Sequence, residues 1–289
     1  MNQYIKDIIE RRIKDLPTLP VVATRIFEVT NDPESSVDDL KEIISTDQVV
    51  TGRILRAVNS AYYGFPRQVD TLSKAIVILG FNNVRSLALS VSIMEMYTKK
   101  SATGFNYQEL WKHAVGTAFC ARALAKVHHP RDMEKLFIAG LLHDIGLVAL
   151  NQCFPKDFVV VLKEVHKSHR PLNLVEQEKF NFNHGDIGQY IADRWLLPKG
   201  LTQAIGLHHS PQKATFEDKP LVWAVHTADF ICKRFGFGDF GDSTMYDYKM
   251  AFRPALDMYG ITEKGAEGEI NDILIKDIEE ARVFVDMFK

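Results

Sequence analysis

Apolar residues recur along most of the chain at the three- and four-residue spacing of an α-helix, and this pattern most limits the available folds. Ile5, Ile8, Ile9 and Ile13 form one such stripe, which ends before Pro17. No series of segments alternates apolar and polar residues with period two, as a sheet with one face in solvent requires. The sequence therefore predicts an all-α protein.

Helix start and stop signals divide the first hundred residues into five or six short predicted helices. Ser36 and Asp39 form an S-x-x-D capping box, Asp47 begins the next helix, and Gly80 separates two apolar segments. The polar segment TKKSATGFN, at 98–106, then predicts a linker. We expect an N-terminal helical subdomain over residues 1–100 and a second helical subdomain over residues 101–289.

Longer helices are predicted after the linker. They cover 107–127, 132–150, 155–169, 172–181, 185–196, 199–209, 219–235, 246–258 and 268–287. The loop FGFGDFGDST, at 235–244, is rich in Gly and Asp and is predicted to be mobile. It either closes over a site near Asp229 or is a plain connection.

Charge and cysteine content exclude several classes of protein. The formal net charge of -2 gives no global positive field for nucleic acid. Three widely spaced cysteines without a C-x-x-C motif favour reduced, buried thiols over a disulfide framework. The first residues lack the apolar core of a signal peptide, and no uncharged apolar run reaches the roughly 18 residues of a spanning helix. We expect a soluble cytoplasmic protein with no membrane insertion.

The run LLHDIGLVAL, at 141–150, places His143 and Asp144 side by side among apolar residues. Burying two such groups costs several kcal/mol unless they are paired or bind a metal. Three explanations are open: metal chemistry, a structural hydrogen bond, or a remnant of either.

Six further residues suggest metal chemistry. They are Glu109, His113, His184, His208, His209 and Asp229. Glu109 and His113 are four residues apart and share a helix face. His226, three residues before Asp229, either supports a ligand or merely packs. Imidazoles and carboxylates are the usual ligands of iron, manganese, cobalt, nickel and zinc. Five histidines and three carboxylates exceed the needs of one ion and suit two or even three, a kind of site that holds a phosphoryl group between cations.

The order of these residues resembles the metal-ligand order of the HD-superfamily phosphohydrolases, most closely the HD-GYP cyclic-dinucleotide phosphodiesterases. The whole chain more specifically resembles the HDOD domain, the HD-related output domain of bacterial signalling proteins. The segments that carry this resemblance are LPTLP (16–20), ISTDQVVTGRILRAVNSAYYG (44–64), TLSKAIVILGFNNVRSLAL (71–89), FIAGLLHDIG, HGDIGQYIADRWLLP and AIGLHHSP. It implies a helical HD-type domain with an N-terminal helical subdomain.

The resemblance also implies a division of the ligands. One ion is expected on His113, His143, Asp144 and Asp229, and a second on His184, His208 and His209. Asp144 is the expected bridging carboxylate, and Glu109 is available to a third ion. Two ions are expected, with iron or manganese favoured and nickel or zinc as alternatives.

Two residues or motifs of the active HD-GYP enzymes are missing here. Leu147 stands where those enzymes have a phosphate-binding lysine, and the segment after His209, SPQKATFEDKP, contains no GYP. These departures favour a metal-binding signalling output or adaptor protein over an active phosphohydrolase or phosphodiesterase acting on a nucleotide or cyclic dinucleotide.

Two further alternatives are a metal-free remnant and a DNA-binding protein. The segment TLSKAIVILGFNNVRSLALSV could form a helix-turn-helix, but its second helix offers only Arg85 as a basic group, so nucleic-acid binding is disfavoured. The expected partners are signalling proteins: a response regulator, a histidine kinase or a cyclic-dinucleotide enzyme. No receiver or cyclase domain is visible in the chain, so we expect its input from a separate protein.

Overall fold

The protein is predominantly helical in the part of the chain described by the computed structural model, which comprises residues 18–31, 35–60, 63–97, 101, 103–128, 132–234, 236–241 and 269–287. Its helices are α1 (Val21–Asn31), α2 (Val37–Ser45), α3 (Gln48–Val58), α4 (Leu72–Leu79), α5 (Phe81–Met94), α6 (Tyr107–His128), α7 (Met133–Leu142), α8 (Ile145–Cys153), α9 (Pro155–Ser168), α10 (Leu172–Phe180), α11 (His184–Arg194), α12 (Lys199–Leu207), α13 (Lys219–Arg234) and α14 (Glu269–Asp286). Within these ranges no residue is in a strand, and the all-α prediction is confirmed. The predicted stripe from Ile5 to Ile13 and the predicted helix 246–258 lie outside the described residues.

The chain divides into two compact units. One, the N-terminal unit, consists of Thr18–Met96 and Glu279–Lys289. The other, the central unit, consists of the described residues of Tyr97–Ile278. Every predicted metal ligand belongs to the central unit.

Helix caps in the N-terminal unit follow the sequence signals. The Asp39 backbone N–H donates to Ser36 Oγ over 3.2 Å, and the Ser36 backbone N–H donates to the Asp39 carboxylate over 2.7 Å, which completes the capping box. Asp47 accepts hydrogen bonds from the backbone N–H groups of Val49 and Val50. Local side-chain chemistry thus sets where α2 and α3 begin.

The suspected helix-turn-helix consists of α4 and α5, two helices that pack together. All residues of α5 from Val84 to Met94 are buried, and Arg85 is only 8% exposed. A recognition helix needs an exposed polar face for the major groove. The burial of α5 therefore excludes this helix as a recognition helix.

The core of the central unit is built around α6, which packs against α7 and α13, while α11 packs against α12 and α8. The described part of the predicted linker belongs to this packing. Thr103 donates a hydrogen bond to Asn151 of α8 over 2.5 Å, and the buried Phe105 ring lies 5.2 Å from the Phe158 ring. The described residues of the predicted linker therefore pack against the central unit.

The predicted single helix over 132–150 is also wrong, because two helices meet inside it. Helix α7 ends at Leu142 and α8 begins at Ile145, with His143 and Asp144 between them. Asp144 has φ -99° and ψ 13°, outside the helical region and in the sparsely populated bridge region. By length and composition the 21 residues Met133–Cys153 could cross a membrane, but 94% of their most apolar window is buried inside the protein.

Candidate metal centre

Seven of the eight predicted ligands lie close together in the central unit. His113 lies on α6, His143 and Asp144 at the α7–α8 junction, His184 at the first turn of α11, His208 and His209 directly after α12, and Asp229 on α13. Three helices, the α7–α8 junction and the segment after α12 thus contribute to one buried cluster. Of its members only His209 is partly exposed.

Asp144 lies between two groups of imidazoles. Its Oδ1 is 3.3 Å from His184 Nε2 and 3.5 Å from His208 Nε2. Its Oδ2 is 3.2 Å from His143 Nε2 and 3.7 Å from His113 Nε2. One carboxylate therefore faces both groups, each through a different oxygen.

We call these the three-histidine group and the two-histidine group. The three-histidine group consists of His184, His208 and His209, and the two-histidine group consists of His113, His143 and Asp229; both share Asp144. In the second group the Asp229 carboxylate lies 2.9 Å from His113 Nε2 and 3.8 Å from His143 Nε2. One potential ligand atom from each of Asp144, His184, His208 and His209 lies within 4.8 Å of the others, and the same holds for His113, His143 and Asp144.

The donor atoms of both groups fit a metal ion. An imidazole nitrogen lies about 2.0–2.1 Å from a bound zinc ion, so two such nitrogens on one ion are about 3.0–3.4 Å apart. His184 Nε2 lies 3.3 Å from His208 Nε2, within this range, and 2.7 Å from His209 Nε2, so an ion here requires the His209 ring to move outward by a few tenths of an ångström. In the other group His143 Nε2 and Asp144 Oδ2 are both buried without a hydrogen-bond partner among the described residues. Buried atoms of this kind are rare unless something else satisfies them.

The electrostatics of the cluster also call for cations. The carboxylates of Asp144, Asp229 and Glu176 are buried there, and the one nearby ammonium among the described residues is that of Lys233, 3.1 Å from both Asp229 oxygens. With neutral imidazoles this leaves an excess of two negative charges. Uncompensated buried charge is costly, so protons or metal ions must balance it.

The pKa values of the histidines reflect this balance. Burial alone lowers the pKa of His143, but the carboxylates of Asp144 and Asp229 outweigh burial and raise it to about 9. Burial also lowers the pKa of His184, but the carboxylates of Glu176 and Asp144 outweigh burial and raise it to about 10. For His208 burial dominates and lowers the pKa to about 4. The metal-free cluster therefore holds protons on His143 and His184.

Outer contacts orient several of the rings. The Nδ1–H of His143 donates to the Gly140 carbonyl over 2.7 Å, and that of His208 donates to the Ile205 carbonyl over 2.8 Å. The sequence left open whether His226 supports a ligand or merely packs; in the structure its Nδ1–H donates to the His208 carbonyl over 2.6 Å. Such contacts select the tautomer that leaves Nε2 facing a metal.

Glu176 is a residue of the cluster that the sequence did not reveal. It lies on α10, is fully buried, and accepts a 2.6 Å hydrogen bond from His184 Nδ1. The segment LNLVEQEKF holds two glutamates and no unusual spacing. Its one signal is that position 176 falls on the face of α10 shared with the apolar Leu172 and Val175.

Glycine permits close contact between α8 and α11 beside Asp144. A Cβ atom added to Gly146 would lie 1.9 Å from the carbonyl oxygen of His184. No side chain fits there, so the backbones that carry Asp144 and His184 touch. The next residue, Leu147, is fully buried, and its side chain therefore belongs to the core.

Glu109 lies outside both groups. Its carboxylate pairs with the ammonium of Lys112 and accepts a 3.2 Å hydrogen bond from the Asp239 backbone N–H. A third ion on Glu109 remains a prediction.

The described part of the Gly- and Asp-rich loop, residues 236–241, packs on α6 beside His113. The Phe240 ring is 7% exposed and lies 5.1 Å from the His113 ring. A Cβ at Gly238, which has φ +81°, would lie 2.4 Å from the His113 backbone nitrogen. The described residues of this loop therefore lie against the His113 side of the cluster.

A sequence profile described as the HDOD domain matches residues 16–211. The chain belongs to the HDOD family. A solved HDOD domain protein of unknown function from Geobacter sulfurreducens is 26% identical and superposes with a TM-score of 0.83, covering 98% of this chain and 97% of that one. The family assignment agrees with the resemblance of the sequence and with the helical fold.

Other proteins similar to this chain differ in length and name. An uncharacterized protein of Treponema pallidum (strain Nichols) is 28% identical over 77% of this chain, which spans only 43% of that protein. A Marinobacter aquaeolei VT8 protein whose name suggests signal transduction has a TM-score of 0.79 at 20% identity, covering 98% of this chain and 65% of that one. A Shewanella amazonensis SB2B protein whose name suggests a phosphohydrolase has a TM-score of 0.72 at 22% identity, covering 97% and 96%. At these identities the two structures show a shared fold.

Proposed function

We propose that this HDOD protein is a cytoplasmic signalling output or adaptor module that holds two divalent transition-metal ions, one in each group, with Asp144 shared between them. The observation that carries the proposal is the position of Asp144, whose two oxygens face separate sets of imidazoles at 3.2–3.7 Å. Iron or manganese suits this mixed nitrogen and oxygen donor set, with nickel or zinc as alternatives. Glu109 is not required for either ion.

Burial of the cluster favours an output role over catalysis. The donor-bearing side chains of Asp144 and Asp229 are 2–3% exposed, and that of His113 is 0% exposed. Leu147 is fixed in the core and offers no charge to a phosphate. Ions in such a centre would stabilise the central unit, so that a partner surface forms only in the loaded protein. We expect the partner to be a response regulator, a histidine kinase or a cyclic-dinucleotide enzyme.

Metal-dependent hydrolysis of a phosphodiester is the second candidate. Lys233 favours it, because its ammonium lies 3.1 Å from Asp229 at the edge of the cluster beside the partly exposed His209. A bound pair of ions would supply charge stabilisation for a transferred phosphoryl group. In that case Lys233 would add a cation that Leu147 does not provide, and His209 would lie on the side open to a substrate.

Elemental analysis and a hydrolysis assay test both candidates. Protein purified without chelator is expected to contain up to two equivalents of iron, manganese, nickel or zinc, and a variant with His143→Ala and Asp144→Ala is expected to contain neither. Wild-type protein that stays metal-free after incubation with each metal would refute the proposal.

Bis-p-nitrophenyl phosphate and cyclic dinucleotides, supplied with Mn²⁺ or Fe²⁺, then separate an adaptor from an enzyme. A loaded protein that hydrolyses none of them supports the adaptor. Hydrolysis that disappears in the double variant supports the enzyme, and hydrolysis that survives in the variant indicates a contaminant.

A further inference from the structure

Glu176 is a fully buried carboxylate whose position needs an explanation. One of its oxygens, Oε2, accepts hydrogen bonds from both the backbone N–H of His184, over 2.8 Å, and the Nδ1–H of the same residue, over 2.6 Å. The other oxygen, Oε1, is buried without a hydrogen-bond partner among the described residues. Two hydrogen bonds from neutral groups do not compensate a buried negative charge. A positive charge on or beyond the His184 ring does.

The contact determines which nitrogen of His184 faces the cluster. Because Nδ1 donates to Glu176, Nε2 is the atom left for the three-histidine group, where it lies near His208, His209 and Asp144. The rings of His143 and His208 are instead oriented by neutral backbone carbonyls. A carboxylate behind an imidazole fixes its tautomer and also increases its basicity, which a carbonyl does less strongly.

We infer that Glu176 is a positioning residue that sets the metal affinity of the three-histidine group, and that it makes the two groups unequal. The inference rests on the proposed function, since it assumes that both groups bind metal. Glu176 touches His184 and no other predicted ligand in the described contacts. Loss of its charge should therefore lower the affinity of the three-histidine group for its ion and leave the affinity of the group of His113, His143 and Asp229 unchanged.

The test is Mn²⁺ binding to the full chain, measured by isothermal titration and by metal content after dialysis. Glu176→Gln keeps the size of the side chain and an oxygen acceptor but removes the charge. We expect wild-type protein to bind two equivalents, and the variant to bind one equivalent unchanged and the other about 10–100-fold more weakly. The matched control is Glu178→Gln on the same helix, an exposed carboxylate that pairs with Arg170; it should bind as wild type does.

Two further variants identify which ion is affected. His209→Ala should weaken the binding of the same metal equivalent as Glu176→Gln. The two changes combined should weaken that binding little more than the stronger single change does. His113→Ala should weaken the other equivalent, so that its effect adds to that of Glu176→Gln. A combined variant in which Glu176→Gln adds to His209→Ala and not to His113→Ala would overturn the assignment.

The outcomes separate this inference from the proposed function. Wild-type protein that binds no metal refutes both, whereas a Glu176→Gln variant that binds two equivalents with wild-type affinity refutes only the role of Glu176. If the variant does not fold, nitrogen NMR of Zn²⁺-loaded wild-type protein decides the matter. The His184 ring should then keep its proton on Nδ1, and ligation through Nδ1 would overturn the inference.

Discussion

Replacement of Asp144 by asparagine should abolish the stabilisation by metal at both groups, because this residue alone is shared between them. The change keeps the shape of the side chain and removes the charge that faces His184 on one side and His143 on the other. A ligand present at about 100 times its dissociation constant stabilises a protein by about 2.7 kcal/mol, so two independent ions contribute about 5 kcal/mol. For a chain of this size each kcal/mol raises the melting temperature by about 2–4 °C. Wild-type protein should therefore melt about 10–20 °C higher with Mn²⁺ than with chelator.

The quantity to compare is this metal-induced rise, measured by calorimetry for each protein. In chelator Asp144→Asn also loses stability, by about 3–5 kcal/mol, because it breaks buried pairs with protonated histidines. Subtracting the chelator measurement removes that effect. The rise should fall close to zero in Asp144→Asn and to about half in His113→Ala or His209→Ala. A rise in Asp144→Asn equal to that of wild type would refute a shared carboxylate, and one of about half would place Asp144 in a single group.

Three other changes test the surroundings of the cluster. Gly146→Ala should lower the free energy of unfolding by about 3 kcal/mol, since its Cβ would meet the backbone of α11. The control Gly52→Ala, on an open helix surface, should raise the free energy of unfolding by about 0.5–1 kcal/mol. Similar urea midpoints for the two variants would contradict the close contact. Leu147→Lys should lose several kcal/mol in the same assay, because the new ammonium is buried, and a stable variant would show that this position can reach solvent. In chelator the free energy of unfolding should fall as the pH rises from about 6.5 to 10, because the unfolded chain loses these histidine protons near pH 6.5, whereas the folded protein holds them on His143 and His184 up to pKa values of about 9 and about 10. A flat profile over this range would count against the proton balance of the cluster.

Capping residues in the sequence correctly predicted where helices α2 and α3 begin. The capping box at Ser36 and the cap at Asp47 depend on residues two or three positions away, and both form as the sequence indicates. The junction at Asp144 could not be found in this way, because the apolar run continues on both sides of it and hides the break. The run reads as one helix unless the tertiary partners of His143 and Asp144 are known.

The candidate site shows the same division. Spacing places Glu109 and His113 on one face of α6, but it does not say what the face meets. In the structure His113 meets Asp229, whereas Glu109 meets Lys112 and the backbone of Asp239. Long-range contacts decide which residues on a predicted face join the cluster, and a single sequence does not contain them.

The α7–α8 junction also bears on the synthesis of the chain. Met133–Cys153 satisfies the length and composition of a membrane-spanning helix, and Asp144 lies near the middle of its 21 residues. When the cell's insertion machinery samples a segment, an aspartate at the centre costs about 2.5–3.5 kcal/mol, as much as several leucines gain. Until the fold buries this segment, Asp144 opposes its transfer into lipid. The Asp144 carboxylate, which faces both histidine groups in the folded protein, thus also disfavours insertion of the nascent chain into a membrane.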